Sequence, residues 1–198
     1  MHPYSLDTPE RKTIPLLLAV VAIMAAWTLN VILVRLQLTV PWWLDAPSVM
    51  GFYGLFYGFF DARLWRWSFL RSIRLVKVPV LAGQWVGTCK SSFNNHSQQF
   101  DIEANIRQAW TSIQVSLVAA ESRSHSIVGS ISLDTSAGPT LSYQYQSEPR
   151  SDSPTTMQIH YGTTTLAIGP DTLEGEYYSG RGRQNTGSIS LRRVKSDR

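Results

Sequence analysis

"TSIQVSLVAAESRSHSIVGSISL", Thr111 to Leu133, alternates apolar and polar residues along two runs divided by the polar Ser122–Ser124. A period of two places apolar side chains on one face of an extended strand, and no helical period competes with it here. The same pattern continues on both sides. Candidate strands are Leu81–Cys89, Gln98–Trp110, Thr111–Glu121, His125–Leu133, Thr140–Gln146, Thr156–Ile168, Thr172–Ser179 and Thr186–Arg193. Turn residues fall between them at Asn94-Asn95, Ala137-Gly138-Pro139, Glu148–Pro154 and Gly169-Pro170-Asp171.

Eight successive antiparallel strands read as an up-and-down, lipocalin-like β-barrel or a flattened sandwich, and the barrel is favoured by the chain's two ends. A barrel of about eight strands is just wide enough to hold one small ligand. Gly83-x-Trp85 opens the first strand and Arg192-Arg193 closes the last. This resembles the lipocalin arrangement, in which a first-strand Trp plugs the base and a late Arg stacks across it. Up-and-down order then gathers Ser122–Ser126, Tyr145, His160 and Arg181–Arg183 at the opposite end, the mouth.

Ahead of the barrel the composition changes. "IPLLLAVVAIMAAWTLNVILV", Ile14 to Val34, is apolar apart from Thr28 and Asn30, and basic residues flank it. About 20 such residues span a bilayer as a helix. The run exceeds the apolar core of a signal peptide, so a retained anchor is expected. "PSVMGFYGLFYGFFDARLW" lies between Trp42-Trp43 and Trp65/Trp67, spaced like aromatic belts at two membrane interfaces. It is read as a second span. Arg63, Arg66, Arg71, Arg74 and Lys77 follow it, and Arg11 and Lys12 precede the first. Positive-inside bias puts both termini and the barrel in the cytoplasm, with the mouth facing away from the membrane.

The expected organisation is therefore membrane-anchored all-β. Residues 1–13 form a cytoplasmic tail, 14–34 and 48–67 the transmembrane helices, and 35–47 a short periplasmic link. Residues 68–79 form a basic cytoplasmic linker and 80–194 the barrel. Gly51, Gly54 and Gly58 let helix backbones approach closely, against the first span or between chains.

Chemistry narrows the function. Net charge is +4 and Cys89 is the single cysteine, so no intrachain disulfide or thiolate cluster forms. His2, His96, His125 and His160 lack metal-ligand spacing. No phosphate-cradling Gly-rich loop and no Gly-x-Ser-x-Gly occurs. No catalytic residue, metal or cofactor is expected. If Leu173 points inward, alternation also turns Tyr177, Ser179, Arg181 and Arg183 inward. Leu141, Tyr143 and Tyr145 share one face in the same way. Arginine forks suit phosphate, tyrosine faces suit nucleobases, and Ser124 and Ser126 offer hydroxyls. The candidate ligand site is thus Ser124, Ser126, Tyr145, His160, Tyr177, Arg181 and Arg183.

Five segments in order, "LAGQWVG", "QAWTSIQVSLVAAESRSHSIVGSI", "LSYQYQSEP", "HYGTTTLAI" and "LEGEYYSGRGRQNTGSISLRR", resemble the receptor barrel of CBASS antiphage effectors. More narrowly, the chain is similar to the two-transmembrane, β-strand-rich effectors encoded beside CD-NTases. The resemblance implies a bacterial inner-membrane protein whose barrel binds a cyclic dinucleotide made by the CD-NTase. Ligand binding then drives self-association, damage to the lipid bilayer and death of the infected cell. No DNA or RNA polymer is an expected partner. Two other classes fit the residues: an anchored lipocalin-like carrier for an apolar ligand, and a structural adaptor with a side-chain-filled barrel.

Overall fold

The computed structural model describes residues 1–37, 42–94, 96, 98–136, 138–150, 158–180 and 184–194, with the side chains of 42–47 and Asn94 left out. The chain forms two units, one of residues 1–7 and 78–198, the other of residues 8–77.

The first unit is a closed barrel. Its strands are β1 (His2–Leu6), β2 (Gly83–Ser91), β3 (Gln99–Gln108), β4 (Ser112–Ala119), β5 (Ser122–Ser132), β6 (Thr140–Pro149), β7 (His160–Ile168), β8 (Thr172–Ser179) and β9 (Thr186–Arg193). Around the wall they run β1-β4-β3-β2-β9-β8-β7-β6-β5, with β4 and β5 also paired directly. Inward residues recur at every second position. Ile102, Ala104 and Ile106 on β3, and Leu141, Tyr143 and Tyr145 on β6, are all buried. Each fully buried large apolar side chain contributes about 1.5–3 kcal/mol over leaving it in water.

The wall has nine described strands where eight were expected, and the additional one comes from residues read as a tail. β1 runs antiparallel to β4, His2 facing Ile113 and Pro3 facing Ser112. It runs parallel to β5, with Tyr4, Ser5 and Leu6 facing Gly129, Ser130 and Ile131. There is room for it because β4 and β5 pair with each other only at Ser116–Val118 and Arg123–His125. Beyond that, a bulge between Ser126 and Val128 marks where the two strands diverge. Five residues containing a proline carry too little alternation to read as a strand, and their pairing is wholly non-local.

The helical unit opens with α1 (Glu10–Arg35), broken by nothing despite Pro15, which lies near its start. Among the described residues it is the one helix long and apolar enough to cross a membrane. α2 (Trp42–Ala62) is the second helix, and it packs on α1. The helix bounds differ from the expected spans: α1 covers 10–35 against 14–34, and α2 covers 42–62 against 48–67. Arg63–Trp67 leaves the helix through a 3₁₀ turn at Leu64–Arg66, and α3 (Ser68–Ser72) follows within the expected linker. On α1, Ile14, Leu18, Ala22 and Ala26 are buried at four-residue intervals. The buried Glu10 carboxylate accepts the Lys77 backbone N–H at 2.7 Å, joining the two ends of this unit.

Candidate functional site

The two ends of the barrel are built differently. At the base, Trp85 and Trp110 are each 1% exposed. The Arg193 guanidinium lies 4.3 Å above the Trp85 ring. It donates to the carbonyls of Ala82 (2.8 Å) and Val80 (2.6 Å), with Asp171 at 3.7 Å. Burial lowers its pKa, and Asp171 works in the opposite direction. The Trp85 indole donates to the Leu81 carbonyl at 3.0 Å, and Tyr4 donates to the Trp110 carbonyl at 2.8 Å. Gln108 accepts the Leu81 N–H at 2.7 Å and donates to the Pro79 carbonyl at 3.1 Å. The stacked Trp–Arg pair expected from Gly83-x-Trp85 and Arg193 is present.

The other end is hollow. A cavity of about 340 Å³ opens there, walled by all eight strands from β2 to β9. Ile102, Leu117 and Ile189 give it apolar wall, while Ser91, Ser122, Ser124, Ser147 and Ser179 give it hydroxyls. Ser124, Ser147 and His160 are register partners across β5, β6 and β7, so three polar side chains line up across neighbouring strands.

Two tyrosines lie over glycines. Tyr145 faces Gly162 in register, and its hydroxyl crosses to the Ser179 hydroxyl at 3.3 Å. A Cβ on Gly162 would run into the Tyr145 ring. Tyr177 faces Gly187, where a Cβ would again meet the ring. With no side chain on Gly162 or Gly187, each ring occupies the space directly over the facing strand. Sequence reasoning found both tyrosines and missed both glycines. The available signal was a glycine in the middle of an alternating strand, which marks a close approach.

Of the expected site residues, Ser124, Tyr145, His160 and Tyr177 meet in this cavity. Ser126 is buried elsewhere in the wall: its hydroxyl bonds His2 Nε2 at 2.7 Å and accepts the Val115 N–H at 2.9 Å. Arg181 and Arg183 lie outside the described residues, although Ser179 and Asn185 on either side of them line the cavity. The His160 Nδ1–H donates to the Gln158 carbonyl at 3.0 Å, and its ring meets Tyr145 edge-on. Deeper in, burial pushes the Tyr143 phenol up to about 12, partly countered by a hydrogen bond with Thr164. Burial also raises the Cys89 thiol. Among the described lining residues there is no lysine or arginine, and Glu121 is the carboxylate. Among the described residues no cluster of His, Cys, Asp or Glu is placed to hold a metal.

Gly51, Gly54 and Gly58 lie on α2 with open space where a Cβ would sit. They do not pack against α1.

Aromatic rings, a row of hydroxyls and a closed floor give the pocket the chemistry of a small-molecule site. Comparison with known proteins agrees. Residues 76–193 match the family model described as "Cap15, cyclic dinucleotide receptor domain", and residues 12–66 match "Cap15, TM helices". A CD-NTase-associated protein 15 from Yersinia aleksiciae is 30% identical over 152 residues, covering 75% of this chain and 70% of that protein. One from Staphylococcus schleiferi is 25% identical over 136 residues, covering 69% and 71%. The family resemblance carried by the five sequence segments is borne out. With its barrel and its helices matched by separate models in the same order, this chain belongs to the Cap15 family of CD-NTase-associated proteins.

Proposed function

We propose that this chain is a CBASS effector of the bacterial inner membrane whose barrel binds a cyclic dinucleotide made by a CD-NTase. The observation that carries the reading is the pair of tyrosine rings seated over Gly162 and Gly187 in a hydroxyl-bearing cavity closed at one end. A cyclic dinucleotide has two bases to stack and two phosphates to neutralise. Tyr145 and Tyr177 serve the bases, and Ser124, Ser147 and His160 hydrogen-bond sugar or phosphate. Arg181 and Arg183, between two cavity-lining residues, supply the positive charge that the described lining lacks. The protein acts as a receptor, not a catalyst.

In this reading two membrane spans, α1 and α2, hold both termini in the cytoplasm. Ligand favours an assembled form through its differential affinity for it. The open Gly51–Gly54–Gly58 face on α2 then packs between chains. Membrane damage follows, and with it death of the infected cell.

The test uses the full-length chain in lipid nanodiscs, titrated with a panel of 3′,3′-cyclic dinucleotides and with a fatty acid. Binding of a dinucleotide, weakened at least tenfold by Arg181→Ala or Arg183→Ala, is expected. Fatty-acid binding alone would instead establish an apolar-ligand carrier. In liposomes, Gly54→Leu with Gly58→Leu should abolish dinucleotide-dependent dye leakage and leave binding intact. Unchanged leakage would remove the glycine face from the mechanism.

A further inference from the structure

We propose that β1 is a removable part of the barrel wall, so that the barrel has a nine-stranded and an eight-stranded state. β1 is held by few ladder positions: two to β4 and three to β5, against eight between β2 and β3. One of them is Pro3, which has no N–H to give a ladder, in a strand with neighbours on both sides. Side-chain anchors supplement this: His2 on Ser126, Tyr4 on the Trp110 carbonyl, and Asp7 accepting the N–H groups of Leu133 and Asp134.

The competing state is written into the register of β4 and β5. Their pairs run Val118–Arg123, Leu117–Ser124, Ser116–His125 and then stop. The next pair would be Val115 with Ser126, both buried and inward. In the nine-stranded barrel the Val115 N–H goes instead to the Ser126 hydroxyl. With the existing bulge kept at Ile127, zipping would continue as Gln114–Val128, Ile113–Gly129 and Ser112–Ser130. At each position the two residues already point to the same side of the wall. Ile113, Ser112, Gly129 and Ser130 are the positions β1 occupies. Docking β1 and zipping the β4–β5 hairpin are therefore mutually exclusive uses of the same backbone groups, which is the form a two-state element takes.

The cavity touches this element. Leu117 on β4 and Ser124 on β5 are register partners, and both line it. That pair is present in both states, so the differential comes from the wall: removing one strand narrows the lumen around a ligand held there, which favours the eight-stranded state. Three residues separate β1 from α1. Release of β1 thus frees the chain immediately ahead of the first apolar helix. This coupling to ligand rests on the receptor reading above; the exchange itself does not.

Two cysteine pairs report the states in the full-length chain in nanodiscs, with Cys89 retained and single-cysteine variants as controls. Ser5→Cys with Ser130→Cys sits on facing positions and closes when β1 is docked. Ser112→Cys with Ser130→Cys has β1 between its members. Two strand spacings, about 9.5 Å, exceed the roughly 7 Å Cα separation that a disulfide tolerates. That pair closes only on zipping. Under mild oxidation the first disulfide should dominate without ligand. The panel of 3′,3′-cyclic dinucleotides should raise the yield of the second at least fivefold. The oxidised Ser5/Ser130 pair should bind dinucleotide at least tenfold more weakly than its reduced form, since binding and zipping are linked. Failure of the Ser112/Ser130 pair to close under any condition overturns the exchange. Closure at equal yield with and without a dinucleotide that binds overturns the coupling alone. If no dinucleotide binds even the wild-type chain, the receptor reading fails, and the ligand-free yields of the two disulfides still decide the exchange.

Discussion

The base and the mouth of this barrel are built on shared strands, β2 to β9, with opposite side-chain choices. At the base two tryptophans fill the lumen, and Arg193, Gln108 and Tyr4 donate to carbonyls around them. At the mouth the inward positions include Ser122, Ser124, Ser147, Thr164 and Ser179, with Tyr145 and Tyr177 seated over Gly162 and Gly187. A barrel of this size closes on large side chains and opens on small ones. The base is thus the stabilising end and, in the proposed reading, the mouth is the recognising one, so substitutions at the two ends should separate these properties.

Trp85→Ala should cost the most, about 3–5 kcal/mol by chemical denaturation, because it empties the fully buried plug. A loss below 1 kcal/mol would mean that the base is not the stabilising end. Arg193→Ala should cost about 2 kcal/mol through two charge-assisted bonds and the ring stack, and Arg193→Lys should not restore it, since an ammonium lacks the planar fork. At the mouth, Tyr177→Ala should leave the unfolding midpoint nearly unchanged while weakening cyclic-dinucleotide binding by about 1–3 kcal/mol, read by calorimetry. Equal loss of stability and affinity would erase the division between the two ends.

The remaining effect shows only at alkaline pH and lies in between, at Tyr143. Burial holds its folded pKa at about 12, above the ordinary tyrosine value of 10.0, so the folded state holds its proton more tightly. Its contribution is fully present below pH 10 and is lost as pH rises to 12, at about 1.4 kcal/mol per unit. Tyr143→Phe should therefore flatten the alkaline fall in stability relative to wild type, measured by denaturant midpoints across that window.

Much of the fold was legible in residues 80–194. β8 and β9 begin and end at the residues expected, Thr172–Ser179 and Thr186–Arg193, because alternation there is strict and turns bound both. The alternation from Leu173 also placed Tyr177 and Ser179 on the cavity side. β5 begins earlier than expected, at Ser122, because Ser122 and Ser124 are small polar residues that face the cavity. Binary patterning counts such positions as loop, since a lumen that binds a polar ligand has a polar inner face. The same effect misplaced Ser126. It shares the face of Ser124, but its neighbour across the wall is His2, a contact 124 residues away along the chain.

The sequence by itself determined the class of molecule: an apolar helix ahead of an alternating barrel, a Trp–Arg base and an aromatic, hydroxyl-bearing mouth. All of these follow from periodicity and local composition, which act over a few residues. Tertiary structure alone decided that the first residues join the wall as β1, that Gly162 and Gly187 seat the two tyrosines, and that Ser126 serves the wall and not the cavity. Each depends on which strands become neighbours after closure, and that choice is made by long-range pairing and shape rather than by any local preference.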